Sequence, residues 1–222
     1  MSKRISHSLL DPFIGPPIKR LYPRLHIPRW FPPEGIIAVG HLSAIGGAVG
    51  FAFSTDARWG GVLAAAGVAG NHVADCLDGT HARSTGQCRN GGELLDHFTD
   101  PLSFAYWLVG MYVSIQRLDL ALAAVIILFA TAVLTNIKSK MIGEFTLATF
   151  GPTEFKSLLV LYGLAQAFTV SSQLAFWFLI ALLVVGAVQL LTNLIGAVRQ
   201  VNAHGAAPDT SEWETTREKP GT

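Results

Sequence analysis

Four aspartates lie close together between two apolar runs, at Asp75, Asp78, Asp96 and Asp100. An α-helix turns about 100° per residue, so Asp75 and Asp78 project roughly 60° apart and Asp96 and Asp100 roughly 40° apart. Each pair therefore shares a face of its own helix, and two facing helices can present all four carboxylates to shared ions. Carboxylates beside a membrane interior are costly unless cations hold them. The pattern predicts a site for two divalent ions, and hard oxygen ligands suit Mg²⁺ or Mn²⁺.

Two such ions suit the cleavage of a pyrophosphate bond. That reaction needs charge neutralised on the attacked phosphorus and on the departing phosphate, and it needs an aligned attacking oxygen. Gly79 and Gly92 leave room for a nucleotide to approach the helix backbone. Ala82 keeps the same face shallow, and Arg83 is a fixed cation suited to phosphate.

The spacing D-x2-D-G-x2-A-R-x8-G-x3-D-x3-D, from Asp75 to Asp100, resembles the signature of the CDP-alcohol phosphotransferase family without a departure. The resemblance implies an integral membrane enzyme in which an alcohol displaces CMP from a CDP-alcohol. It implies that Asp75, Asp78 and Asp96 ligate metal, and that Asp100 ligates metal and acts as the base. It also implies a nucleotide and phosphate site, formed by Asp75, Gly79, Ala82, Arg83 and Gly92.

The run G-E-L-L-D-H from Gly92 to His97 resembles the amino-alcohol branch of the family, the choline and ethanolamine phosphotransferases, which carry G-E-L-x-D-H here. An imidazole can take the proton from an attacking hydroxyl at neutral pH, but the helix neighbour of Asp96 points about 100° away from it. We therefore expect the base to be Asp100 or His97.

A second stretch, Gly-Pro-Thr-Glu at 151–154, resembles the N-G-P-T-E stretch of the same branch, with Phe150 in place of the asparagine. Glu154, or Glu144 before it, could pair with a substrate ammonium. The alternative is a helix start, with Pro152 in the first turn and Glu154 favouring the helix dipole.

Composition identifies a membrane protein. The chain has 222 residues, of which 50% are hydrophobic and 14% charged, whereas soluble domains carry about 25% charged residues. The net charge is +1 and no basic run with interleaved aromatics appears, so no nucleic-acid partner is expected.

The expected fold is all-α, a bundle of six transmembrane helices preceded by an interfacial segment. About 20 apolar residues cross a bilayer as a helix, and open sheet edges cannot face lipid. The candidate spans are 35–53, 59–74 with a polar helical extension to Arg83, 94–115, 118–137, 157–170 and 174–198. We assign 1–34 to a cytosolic interfacial leader, broken by prolines into short helical pieces. Residues 35–201 form the membrane domain, and 202–222 form a disordered cytosolic tail.

Orientation follows from lysines and arginines in short loops. On one side lie Lys3, Arg4, Lys19, Arg20, Arg24, Arg29, Arg83, Arg89, Lys138, Lys140 and Lys156. The other side offers Arg58 and Arg117. Both termini and the aspartates are therefore predicted to be cytosolic, in a compact relative suited to a prokaryotic cytoplasmic membrane.

The leading hypothesis is transfer of phosphocholine or phosphoethanolamine to a diacylglycerol-like lipid, with release of CMP. The alternative is a phosphatidyltransferase that joins CDP-diacylglycerol to inositol phosphate, glycerol phosphate or serine. A divalent-cation transporter is a remote alternative, because four spans have no charged residue at their centres. Gly46 and Gly50 form a G-x-x-x-G pair that favours either a homodimer, as in the family, or packing within one bundle.

Overall fold

A computed structural model describes residues 3–6, 8–147, 151–205 and 211. The described chain is built from α1 (Asp11–Leu21), a 3-10 helix (Tyr22–Leu25), α2 (Pro33–Ala52), α3 (Arg58–Thr85), α4 (Asn90–Ser114), α5 (Leu118–Ile142), α6 (Pro152–Thr169) and α7 (Ser172–His204). The predicted helical fold is confirmed. The sequence did not indicate one small feature, the parallel pairing of β1 (Lys3–Ser6) with β2 (Glu144–Leu147).

Three helices are long and apolar enough to cross a membrane, namely α2, α5 and α7. These helices mark a membrane protein. The other three predicted spans coincide with α3, α4 and α6. These helices carry more polar side chains and are not among the helices that are long and apolar enough to cross a membrane. Beyond α7 and Gly205, the predicted tail lies outside the described residues except for Ser211.

Local signals explain where the helices begin and end. The polar extension of α3 continues past Arg83 to Thr85 and stops at Gly86, which adopts a left-handed conformation with φ +72°. Gly143 ends α5 in the same way. Proline occupies the first turn of α2 and of α6, where its missing N–H costs nothing.

Glycines bring α3 into backbone contact with helices on both sides. A Cβ added at Gly67 would overlap the backbone of Gly47 on α2. A Cβ added at Gly61 would overlap the backbone of Gly163 and Ala167 on α6. Gly50 likewise packs against α3, so at least one residue of the predicted G-x-x-x-G pair serves the bundle itself.

Large buried side chains fix α4, which carries the second pair of aspartates. Trp107 is fully buried, and its Nε1–H donates to the carbonyl oxygen of Ala44 on α2 at 2.9 Å. The buried Tyr112 hydroxyl donates to the carbonyl oxygen of Leu179 on α7 at 3.1 Å. Because a buried polar group is costly unless it is hydrogen-bonded, both contacts set the position of α4 along its neighbours.

Candidate active site

Three of the four signature aspartates converge where the polar ends of α3 and α4 meet. Asp75, Asp78 and Asp96 each offer an oxygen, and these oxygens all lie within 4.8 Å of one another. The carboxylates are half-buried or buried. A compact set of hard oxygen donors fits Mg²⁺ or Mn²⁺.

Burial and a neighbouring carboxylate disfavour the ionised form of Asp78 when no cation is bound. Asp78 lies on the polar extension of α3, beyond the apolar run that ends at Ala74. Burial and then the nearby Asp75 raise the pKa of Asp78 to about 7. A divalent ion would restore the ionised form, because an opposite charge favours it.

The fourth aspartate is held by a lysine. The Nζ of Lys156 donates to Asp75 Oδ2 at 2.8 Å and to Asp100 Oδ1 at 3.3 Å. The Lys156 side chain is only 1% exposed and comes from the second turn of α6. The sequence interpretation of Lys156 as a topology signal missed this contact. In a sequence, a lysine just before an apolar run gives the same pattern whether its side chain faces the cytosol or is buried within the bundle.

The predicted nucleotide and phosphate residues line the same cavity as the four aspartates. Gly79, Ala82, Arg83 and Gly92 all border this space of about 1220 Å³. The Arg83 guanidinium lies over Gly79, because a Cβ at that glycine would be 3.1 Å from Arg83 Nη1. A side chain at position 79 would therefore press on the guanidinium that is predicted to bind phosphate, which would have to shift by a few tenths of an ångström.

The second candidate base also borders the cavity. His97 is 42% exposed and its Nε2 lies 4.0 Å from Glu93 Oε1, one turn earlier on α4. Asp100, the other candidate, accepts a hydrogen bond from Lys156. The structure therefore places both candidates on the wall of one cavity.

The Glu154 carboxylate forms hydrogen bonds with other parts of the protein. It accepts hydrogen bonds from Ser8 Oγ at 2.6 Å, from the Leu10 amide at 3.0 Å and from the Gly151 amide at 2.9 Å. Although burial favours the protonated form, these hydrogen bonds hold the pKa of Glu154 below its ordinary value. The contacts support the helix-start interpretation over contact with a substrate ammonium. The side chain of Glu144 lies outside the described part of the chain.

A buried histidine ties the leader to the site helix. His81 is fully buried on α3, three residues after Asp78. Its Nε2–H donates to the Phe31 carbonyl oxygen at 2.8 Å, so its Nδ1 accepts from the Tyr22 hydroxyl, also at 2.8 Å. Nothing in the sequence distinguished His81 from a surface residue, because both of its partners are distant in sequence.

The cavity continues away from the aspartates between α5 and α7. Polar side chains line this part on both helices: Thr131, Thr135, Gln189, Thr192 and Asn193. Polar residues on helices apolar enough to cross a membrane are expected to face a cavity or a partner. The cavity therefore extends from the carboxylates into the space between these two helices.

Comparison with known proteins agrees with this site. No curated protein matches the chain. The family model for CDP-alcohol phosphatidyltransferase matches residues 38–188, a stretch that contains all four aspartates, Arg83 and Lys156. Members of that family are transferases of phosphate-containing groups that use a CDP-alcohol donor and an alcohol acceptor. Since the match covers well over half of the sequence, the chain belongs to the CDP-alcohol phosphatidyltransferase family.

Proposed function

We propose that this enzyme of phospholipid synthesis transfers phosphocholine or phosphoethanolamine from the CDP-alcohol to a diacylglycerol-like lipid and releases CMP. The observation that carries the proposal is one cavity that joins the carboxylates and Arg83 to the space between α5 and α7, which both apolar and polar side chains line. The run from Gly92 to His97 favours the amino-alcohol donors. Family membership favours an enzyme over the cation transporter considered from sequence.

The chemistry needs a cation for the pyrophosphate. Asp75, Asp78 and Asp96 would hold a Mg²⁺ or Mn²⁺ ion, which supplies charge neutralisation at the attacked phosphorus and the departing phosphate. A second ion, predicted from four carboxylates, would have to share Asp100 with Lys156. Arg83 would bind the phosphate of CMP, and Gly79 keeps its guanidinium free to do so.

The acceptor hydroxyl must lose a proton as its oxygen attacks the phosphorus that carries the amino alcohol. The new P–O bond forms as the bond to the CMP oxygen breaks. The Asp100 carboxylate is engaged by the Lys156 ammonium, whereas His97 is 42% exposed at the cavity wall, so we favour His97 as the proton acceptor. In this proposal Asp100 orients the Lys156 ammonium. His97, which borders the cavity, takes the proton from the acceptor hydroxyl.

We further propose the predicted membrane arrangement, with six spans in 35–201, a cytosolic site and cytosolic termini in a homodimer. Exposed apolar side chains on the leader, Phe13, Leu25 and Trp30, support its placement at the membrane surface. The glycine contacts of α3 support its packing inside the bundle rather than against lipid. A dimeric mass in mild detergent is the expected result.

CMP release by the purified protein tests the function. We expect release from CDP-choline or CDP-ethanolamine with diacylglycerol, and its loss with chelator or in Asp96→Asn. Asp119→Asn is the matched control, because Asp119 is 63% exposed and pairs with Arg117 away from the cavity. Release only from CDP-diacylglycerol with a soluble alcohol would refute the donor assignment, and full release in chelator would refute metal dependence.

A further inference from the structure

The N-terminal leader is docked on the bundle through one face. Ile18 packs with Tyr22 against a buried cluster that includes Leu77 of α3. The Tyr22 hydroxyl donates to Nδ1 of the fully buried His81 at 2.8 Å. At the other end of α1, the Glu154 carboxylate accepts from the leader. The leader is therefore fixed to the bundle both before and after α1.

The opposite face of α1 is exposed and carries apolar and basic side chains. Phe13 and Arg20 are seven residues apart, so they project roughly 20° apart on the helix, and both are exposed. We define the outer surface of the leader as its exposed large apolar and basic side chains. They are Leu9, Phe13, Leu21, Leu25 and Trp30, with Lys19, Arg20, Arg24 and Arg29. None of these four cations forms an ion pair within the described part of the chain.

The leader also forms part of the wall of the active-site cavity. Ser8, Asp11 and Lys19 border the same space as the four signature aspartates. Undocking of α1 would remove this part of the wall and open the cavity on that side. A ligand that holds the leader on α3 would therefore also keep the cavity closed there.

The outer surface has the chemistry of a segment that binds an anionic bilayer. Apolar side chains enter the interface, and Lys and Arg are attracted to negatively charged lipids. Each Lys or Arg near such a surface strengthens binding by about fivefold. The leader ends where α2 begins, at Pro33, and α2 is apolar enough to cross a membrane. This position places the outer surface beside lipid rather than beside a soluble partner.

The lipid can favour the docked leader because only that state presents a formed surface. Pro16 and Pro17 lie inside α1, and proline removes helix hydrogen bonds. Packing on α3 therefore maintains the helix that holds Phe13 and Arg20 on one face. A free leader would have to be ordered first, which weakens its binding. This difference in affinity between the two states is what a ligand needs to shift an equilibrium.

We infer that anionic lipid headgroups bind the outer surface of the leader and hold it docked as part of the cavity wall. The bundle and the lipid contact different side chains of the leader, so both bind at once and each strengthens the other. The inference rests on the proposed function and adds a regulation of its site. Substrate affinity increases when the surrounding bilayer carries anionic lipid.

Hydrogen–deuterium exchange of the leader in lipid nanodiscs tests the inference without an activity assay. Exchange should be slower in nanodiscs of phosphatidylcholine with phosphatidylglycerol than in phosphatidylcholine alone. With phosphatidylglycerol, the double variant Arg20→Gln/Arg24→Gln should exchange about 25-fold faster than the wild type, if exchange follows the undocked fraction. In phosphatidylcholine alone the two proteins should match. Arg58→Gln is the matched control, because Arg58 is exposed at the end of α3 that is remote from the leader contacts.

Equal leader exchange in the two nanodiscs would overturn the inference, as would a lipid effect that persists in the double variant. The KM for CDP-choline is the second measurement and should be lower with phosphatidylglycerol in the wild type alone. An equal wild-type KM in both nanodiscs would overturn the link to the cavity. Failure of the proposed function looks different. Leader exchange would still depend on phosphatidylglycerol, while CDP-choline would release no CMP in either nanodisc.

Discussion

Removing the Glu154 carboxylate should release the N-terminal leader from the bundle. Two of its three hydrogen bonds come from the leader, from the Ser8 hydroxyl and the Leu10 amide, and the third comes from Gly151 at the start of α6. Ser8 also accepts from the amide of Asp11 in the first turn of α1. Glu154→Ala therefore removes the acceptor that joins α1 to α6.

The size of the effect follows from the two leader contacts. A hydrogen bond to a charged group contributes about 1.5–3 kcal/mol. Taking the lower value for each, Glu154→Ala costs the docked leader about 3 kcal/mol, which raises its undocked fraction roughly a hundredfold. Glu154→Gln keeps an acceptor oxygen but loses the charge, so we expect an effect of about tenfold.

Hydrogen–deuterium exchange in detergent micelles measures this opening. The peptide that contains Leu10 should exchange about a hundredfold faster in Glu154→Ala, if exchange follows the undocked fraction. Glu93→Ala is the matched control, because it removes an exposed carboxylate on α4. Unchanged exchange in Glu154→Ala, with a raised KM for CDP-choline in Glu154→Gln, would refute the anchor and restore the contact with the substrate ammonium.

Four further outcomes are expected. Asp78→Asn should abolish Mn²⁺ binding and CMP release together, since a hard anionic ligand is lost; bound Mn²⁺ at the wild-type level would contradict this. His97→Ala should slow CMP release about a hundredfold or more with Mn²⁺ binding retained, and an unchanged rate would return the role of base to Asp100. Trp107→Ala should destabilise the fold by about 3–5 kcal/mol in denaturant unfolding, whereas Trp177→Ala, at an exposed position, should change it little. The pKa of Glu154 is lower in the folded state than in the unfolded chain, so its stabilisation of the docked leader should be complete at neutral pH. That stabilisation should be lost as the Glu154 carboxylate is protonated, and hydrogen–deuterium exchange of the leader should therefore become faster as the pH falls below about 4.3.

Helix positions could be predicted because local signals determine them. Long apolar runs located α2, α5 and α7, and the polar stretch after Ala74 was correctly predicted to continue the helix of the second span. The β1–β2 pairing could not be predicted, because it joins Lys3 to Glu144 across most of the chain. Neither segment shows a strand pattern of its own, so only the assembled bundle brings them together.

The acidic half of the site could be predicted, and its basic partner could not. The helical spacing of Asp75 and Asp78 correctly indicated a shared face, and Asp96 joins them as expected. The contact of Lys156 with Asp75 spans 81 residues and depends on how closely α6 packs on α3. That packing is set by Gly61 and its contacts, which no charge or hydropathy pattern reveals.

The distance along the chain between Lys156 and its partners also imposes an order on biosynthesis. Lys156 follows Asp75 by 81 residues and Asp100 by 56. At about 5–20 residues per second, the ribosome needs roughly 4–16 s to progress from Asp75 to Lys156. Throughout that interval the carboxylates of the nascent α3 and α4 must stay hydrated, because burying a charge before its partner has been made is strongly unfavourable. Docking of α6 against α3 is thus the step that lets the acidic helix ends close, and a chain that stalls before it leaves those ends open to water.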